Sequence, residues 1–245
     1  MRALVMAAGL GTRLRPLTDH TPKPLVQVGG RAMVEYVLEN LASAGISEAV
    51  INIHYLPEKM REFVDDWNLR GGVPQLKAQD ESAEILGSGG AISLAAPWLF
   101  ESESTALVCN SDVLASPDLQ SLVAEHKRLN AAHGVECTLA LVRDPGAGTK
   151  YTGLREDKGL IVGFEKSEKR DPALWHFPGY YVLEKSTVLR LPRAGQVCSV
   201  MDELWRPLVN EGKLGAWIYR GSYRDVGSVD DLRKAETELA KSRHR

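Results

Sequence analysis

Apolar positions along this chain come in short blocks that alternate between strand-like runs and helix-spaced stripes. Residues 3–7 form a short apolar run that ends in glycines, as a buried parallel strand does. Val34, Val37, Leu38 and Leu41 then fall at helical spacing, and Gly45 stops that helix. Residues 49–53 read as a second strand. Pro57 suits the first turn of another helix, with Met60, Phe63, Val64 and Trp67 on its apolar face. The alternation continues with predicted strands at 75–78, 105–109 and 137–142 and predicted helices at 89–95 and 117–130. This rhythm predicts an α/β fold, a doubly wound, mostly parallel, Rossmann-like sheet with helices on both faces. From 151 to 183 the pattern turns strand-rich, with strands at 160–164 and 179–183, so an insertion is expected there. A helix at 202–210, a strand at 216–219 and a terminal helix from Val229 complete the reading. No internal repeat or low-complexity linker interrupts it, and one domain over 1–245 is expected.

Composition narrows the class. The chain has 245 residues, 44% hydrophobic and 25% charged, ordinary values for a globular protein. A chain of this size buries roughly 70% of its unfolded surface and requires no disulfide or metal staple. Its net charge of −2 gives no whole-molecule attraction for nucleic acid or anionic membrane. Anion binding must then be local. Cys109, Cys137 and Cys198 are widely spaced, without a C-x-x-C pair, which suits reduced cysteines in a cytoplasmic protein and not a zinc site. Arg2 and the apolar residues 3–8 imitate a signal peptide, but Gly9, Gly11, Arg13 and Arg15 end the run too soon. No stretch approaches the ~18 apolar residues of a membrane span.

The chemistry begins at Ala8-Gly9-Leu10-Gly11-Thr12-Arg13. A glycine-rich turn after a first strand, leading into a helical segment, suits phosphate: the backbone approaches closely, and exposed N–H groups and a helix dipole favour negative charge. Arg13 and Arg15 add charge, and the Arg13 guanidinium is able to form a bidentate fork. A dinucleotide fingerprint would have a third glycine where Leu14 stands, and the P-loop pattern is absent. Lys23 lies between Pro22 and Pro24, which remove two backbone donors and stiffen the chain around one ammonium. A tight turn without ligand is the competing reading, and this cluster of cations weighs against it.

The run L-V-M-A-A-G-L-G-T-R-L-R-P-L-T, followed by T-P-K-P-L-V, resembles the opening signature of the sugar-1-phosphate nucleotidylyltransferases. The resemblance continues at Leu86-Gly87-Ser88-Gly89-Gly90-Ala91, Asn110-Ser111-Asp112, Phe164-Glu165-Lys166, Phe177-Pro178-Gly179 and Asp225-Val226-Gly227, in the family's order over nearly the whole chain. It implies attack of a sugar 1-phosphate on the α-phosphorus of a nucleoside triphosphate, with release of pyrophosphate. It also implies that Ala8, Gly9, Gly11 and Thr12 hold the nucleotide and that Gly89 lies near its base. Arg13 would meet the leaving phosphates and Lys23 the α-phosphate, as the catalytic cations. Asp112 and Asp225 would hold Mg²⁺, while Gly153, Glu165, Lys166 and Gly179 would line the sugar-phosphate side. The nucleotide half is then expected at about 1–115 and the sugar-phosphate half at about 116–245, with the insertion on the sugar side. The chain departs from the pattern at Ser111 (often Gly), Tyr223 (often Trp) and Ser167 (usually Pro).

Each assignment has a plainer counterpart. Asp112 and Asp225 can be turn aspartates, Glu165 and Lys166 a solvated strand pair, His20 and His54 loop histidines, and Trp175, Tyr180 and Tyr181 core or site wall. Within the family the compact chain looks most like the short bacterial uridylyltransferases that use N-acetylmuramate 1-phosphate. GTP with mannose or heptose 1-phosphate, and CTP with phosphocholine, are the alternatives. The length leaves no room for the added domains of longer relatives, so a single activity is expected. A catalytically silent nucleotide sensor would have lost Arg13, Lys23 or an aspartate, and all are present. A nicotinamide oxidoreductase would carry an acidic residue ~20 positions after the glycines, and this chain instead continues with Pro22-Lys23-Pro24 and then Gly29-Gly30-Arg31. The expected partners are the two small substrates, without nucleic acid or membrane, in a monomer or small homo-oligomer.

Overall fold

The computed structural model describes residues 1–242, so the last three residues of the expected 1–245 domain lie outside the described residues. In chain order the elements are β1 (Ala3–Met6), β2 (Gln27–Val28), β3 (Arg31–Ala32), α1 (Met33–Ser43), β4 (Glu48–Ile53), α2 (Pro57–Leu69), β5 (Gln75–Asp80), α3 (Gly87–Leu99), β6 (Thr105–Asn110), β7 (Val113–Ala115), α4 (Leu119–His133), β8 (Cys137–Leu141), β9 (Gly153–Asp157), β10 (Leu160–Glu165), β11 (Tyr180–Glu184), α5 (Arg206–Asn210), β12 (Leu214–Ile218), β13 (Tyr223–Asp225) and α6 (Val229–Ser242). The alternation is the α/β order expected from the sequence. No helix among the described residues is long and apolar enough to cross a membrane.

The chain forms two compact units. The first comprises Arg2–Ile85, Cys109–Pro117 and the segment from Gly221, and the second comprises Met1, Leu86–Val108 and Asp118–Arg220.

In the first unit β5, β4 and β1 lie side by side, all parallel, with Val5 opposite Ile51 and Asn52 opposite Gln79. Ala3, Leu4 and Val5 of β1, Ala49, Val50, Ile51 and Ile53 of β4, and Leu76 of β5 are buried, as parallel strands covered on both faces require. α1 buries Met33, Val34, Val37, Leu38 and Leu41, and Gly45 ends the helix at φ +80°. α2 buries Met60, Val64 and Trp67. The Trp67 indole N–H donates to the Pro74 carbonyl at 2.8 Å, and a Cβ on Gly72 would come within 2.4 Å of that ring. A smaller core gathers Leu14, Val26, Val28, Met33, Val226, Leu232 and Ala235. Leu14, which broke the dinucleotide fingerprint, is thus a packing residue that anchors the glycine loop.

In the second unit the strand order is β6-β11-β8-β12-β10-β9. Here the sheet is mixed: β12 runs parallel to β8, while β11 on β8, β10 on β12 and β9 on β10 are antiparallel. The antiparallel β9–β10 pair forms the expected strand-rich region. α4 is capped by Asp118, whose side chain accepts from the Ser121 N–H at 3.0 Å, and is closed by Gly134 at φ +66°. The expected helix at 202–210 is a π-helical turn, Met201–Trp205, that continues as α5. Pro207 has no N–H to donate within the regular ladder there.

Candidate active site

The peptide joining Met6 to Ala7, where β1 gives way to the glycine loop, is held at both polar ends. The Met6 carbonyl accepts from the Ser111 N–H at 3.1 Å, and the Ala7 N–H donates to Asn52 Oδ1 at 2.6 Å. Ala8 is buried, Leu10 is exposed, and the space where a Cβ of Gly9 would point is open to 4 Å. Gly11 adopts φ +65°, and a Cβ there would come within 3.0 Å of both Lys23 Cβ and Thr18 Cγ2. The loop therefore crosses close to Lys23, and both this approach and the positive φ favour glycine. The Thr18 hydroxyl fixes it by donating to the Gly11 carbonyl at 2.8 Å.

One expectation is corrected here. No α-helix follows the loop; three short 3₁₀ turns, Thr12–Leu14, Leu17–Asp19 and Lys23–Leu25, lead on to β2. Pro16, Pro22 and Pro24 interrupt any longer helix. A full helix dipole is thus absent, and attraction for an anion falls to loop N–H groups and side-chain cations.

Those cations and the two candidate aspartates meet in the first unit. Lys23 Nζ donates to Asp112 Oδ2 at 2.5 Å, with side-chain exposures of 11% and 29%. β13 pairs antiparallel with β7, setting Asp225 opposite Val113, and the Val226 N–H reaches the Asp112 carbonyl at 3.4 Å. Arg13 lies across the turn that follows: a Cβ on Gly227 would stand 3.1–3.2 Å from its guanidinium. Arg13 is exposed and has no side-chain partner among the described residues. Thr12 is exposed beside it. Residues over two hundred positions apart in sequence are drawn together by the core of Leu14, Val226 and Leu232 beneath them.

The remaining candidates lie in the second unit. A Cβ on Gly89 would meet Cys198 Sγ at 2.6 Å, and the Gly89 N–H donates to the Cys198 carbonyl at 3.0 Å. The glycines opening α3 thus have a packing cause, the close passage of the segment at Cys198. Gly153 and Glu165 are register partners on β9 and β10, and a Cβ on Gly153 would strike Leu174 at 2.7 Å. Glu165 is gripped by Arg155 at 2.5 and 3.0 Å, and Arg155 also donates to Asp171 at 2.9 Å. That guanidinium holds the Glu165 carboxyl below its ordinary pKa. Lys166 Nζ rests on the carbonyls of Thr149 and Lys150, both at 3.3 Å. Gly179 turns the chain into β11 at φ +93°, next to the ring cluster of Phe177, Tyr181 and Trp205, whose centroids are 5.0–5.8 Å apart. Tyr180 and Tyr181 are core.

Sequence reasoning passed over a polar group in the first unit: Asn52, Gln79 and Glu81, all buried. Asn52 Nδ2 and Gln79 Nε2 both donate to Glu81 Oε1, at 3.0 and 2.9 Å. The signal was a polar residue inside an apolar strand, Asn52, and a polar i, i+2 pair at the close of the next, Gln79 and Glu81.

Among the described residues, no three or more His, Cys, Asp and Glu side chains gather as a ready-made metal site. Asp112 and Asp225 stand on adjoining backbone segments, and Asp112 is already paired with an ammonium; carboxylates are nevertheless the ligand type that fits a hard divalent cation. Mg²⁺ takes one or two carboxylates and completes its shell with water and substrate phosphate.

The chain matches the family model described as Nucleotidyl transferase over residues 2–242. It is 32% identical over 244 residues to a mannose-1-phosphate guanyltransferase of Schizosaccharomyces pombe, covering 94% of this chain and 62% of that protein. It is 30% identical over 243 residues to a mannose-1-phosphate guanylyltransferase of Mycobacterium tuberculosis, covering 98% and 64%. The chain thus spans less than two thirds of the length of these curated relatives. The solved UDP-glucose pyrophosphorylase from Acinetobacter baumanii superposes with a TM-score of 0.77 at 19% identity, covering 97% of this chain and 92% of that one, a likeness of fold. On the length of the family match, this chain belongs to the nucleotidyl transferase family.

Proposed function

We propose that the protein transfers GMP from GTP to mannose 1-phosphate, forming GDP-mannose and pyrophosphate. The reaction class rests on one observation above all, the gathering of Arg13, Lys23, Asp112 and Asp225 around the glycine loop. The choice of substrates rests on the names of the curated relatives, which favour guanylyl transfer to mannose 1-phosphate over the UTP and N-acetylmuramate 1-phosphate pair expected from the sequence.

In this reading a phosphate oxygen of mannose 1-phosphate attacks the α-phosphorus of GTP. One P–O bond forms, the bond to the β-phosphate breaks, and pyrophosphate leaves with its electron pair. A phosphate monoester is largely dianionic at neutral pH, so no general base is required. The barrier is repulsion between anions and their misalignment, which fixed cations offset. Loop N–H groups and Arg13 meet the β- and γ-phosphates, and Lys23 turns from Asp112 to the α-phosphate. Asp112 and Asp225 would hold a divalent cation, which when bound supplies further positive charge to the phosphate oxygens. Glu165 and Lys166, with Gly153 and Gly179, would line the sugar-phosphate side; the Glu165 carboxylate keeps lone pairs for hydroxyl donors even while it accepts from Arg155.

The test is a matrix of GTP, UTP, CTP and ATP against mannose, glucose, N-acetylglucosamine and N-acetylmuramate 1-phosphates, with Mg²⁺, read as pyrophosphate release. GTP with mannose 1-phosphate should exceed every other pair by about tenfold or more in kcat/KM, the discrimination expected of a few base and hydroxyl contacts. UTP with N-acetylmuramate 1-phosphate as the best pair would overturn the substrates. Nucleotide binding without pyrophosphate from any pair would make the protein a silent binding module.

A further inference from the structure

We infer that Glu81 is a positioning residue for the glycine loop, acting through Asn52 on the Ala7 N–H; this rests on the loop being the nucleotide site proposed above. The chain of contacts is short. Glu81 Oε1 accepts from Asn52 Nδ2 at 3.0 Å, and Asn52 Oδ1 accepts from the Ala7 N–H at 2.6 Å. Gln79, the register partner of Asn52, donates to the same carboxylate oxygen at 2.9 Å. Glu81 is held in turn through its backbone, its N–H donating to the Ile53 carbonyl at 2.8 Å and its carbonyl lying 2.7 Å from His54 Nδ1. Asn52 and Glu81 are each only 3% exposed.

The chemistry gives this arrangement a direction. Glu81 Oε1 accepts from two amide NH₂ groups, so Asn52 turns its NH₂ toward Glu81 and its oxygen toward Ala7. The carboxylate therefore selects one of the two orientations of the amide, and that orientation is the one the Ala7 N–H requires. The same Met6–Ala7 peptide is pinned from its other side by the Ser111 N–H, the residue next to Asp112. Its plane sets the direction in which Ala8–Gly11 leaves the sheet, and hence where the loop N–H groups aim. A buried carboxylate is costly to keep; fixing this peptide is what its placement accomplishes.

Two single variants break the order of donors and acceptors, and their combination restores it. Asn52→Asp sets one carboxylate against another. Glu81→Gln allows Asn52 to turn over and face Ala7 with a donor. When the two changes are combined, the introduced amide can donate to the introduced carboxylate, which in turn accepts from the Ala7 N–H. Each variant, checked as folded by circular dichroism, is titrated with GTP by calorimetry and assayed for both KM values. Each single change should weaken GTP binding by about tenfold, the worth of one misplaced hydrogen bond, with the KM for the sugar phosphate unchanged. The double variant should recover to within about threefold of the parent on the same scale. Singles that fold and bind GTP like the parent, or a double no better than the worse single, would overturn the relay. Arg13→Ala, run alongside, separates the two ideas. If it binds GTP like the parent, the loop is not the nucleotide site and the relay falls with it. If it alone loses affinity, only the relay is wrong. Should a single variant fail to fold, the exchange rate of the Ala7 amide proton, read by NMR in the parent and the double variant, decides in its place. Protection comparable in the two supports the relay, and a freely exchanging Ala7 in the folded parent overturns it.

Discussion

Lys23 and Asp112 hold each other at 2.5 Å, each the other's counter-ion. The sequence marked Lys23 as a cation braced by two prolines, but nothing in it paired that cation with a residue 89 positions away. The pairing alters what a substitution there should do. On the proposed reading Lys23→Ala removes a charge from the phosphates, and it also strands a partly buried carboxylate. Turnover should fall by about two to three orders of magnitude, the effect of losing one preorganised charge. Divalent cation should bind Asp112 more tightly in the absence of nucleotide, because its competitor is gone. Steady-state kinetics and a Mn²⁺ titration check the two parts; unchanged Mn²⁺ affinity would show that Lys23 does not compete for that carboxylate. Arg13 and Lys23 stand out as candidates because cations close to glycine and proline break the pattern of a chain, whereas Asp112 and Asp225 are candidates only through the family resemblance. Asn52 and Glu81 do not stand out, because a polar residue in a strand shows its purpose only beside its partner.

At the scale of elements, His126 ties α4 to the sheet of the second unit. It is fully buried, 2.9 Å from Thr138 Oγ1 and 3.1 Å from Glu184 Oε1. Burial lowers its pKa below the ordinary 6.5, outweighing the pull of Glu184 in the other direction. The unfolded chain then binds the proton more readily than the folded one. This part of the stability is complete above the ordinary value of 6.5 and is lost as pH falls through the lowered folded one. Urea midpoints should therefore decline below about pH 6.5, and His126→Gln should flatten that decline; an identical slope in the variant would exclude His126 as its source. The hydrophobic pattern found nearly every long element, α1, α2, α4 and the parallel strands among them, because a buried stripe repeats often enough to be seen. It could not find β7 and β13, three residues each, whose pairing sets Asp225 beside Asp112. Three-residue strands carry too few turns of the pattern to register.

The first unit is not one continuous stretch of chain: it joins Arg2–Ile85 and Cys109–Pro117 to everything described from Gly221 onward, Asp225 included. The order of elements along a chain predicts layers well and spatial grouping poorly, since a late segment can return to an early core. Binding should be felt by the fold that forms the site. At a GTP concentration about a hundred times its dissociation constant, with Mg²⁺, stability should rise by about 2.7 kcal/mol. A clear upward shift of the thermal transition is the readout, and Lys23→Ala should lose most of it. A parent transition unmoved by GTP would argue against the site.

The small core of Leu14, Val26, Val28, Met33, Val226, Leu232 and Ala235 also has a schedule. Four of its members lie between residues 14 and 33, and three are made only after residue 225. Until then the glycine loop has no floor beneath Leu14, Arg13 has no Gly227 turn to lie across, and one of the two carboxylates has not been made. If the loop is the nucleotide site proposed above, a growing chain lacks part of that site until β13 and α6 have been made.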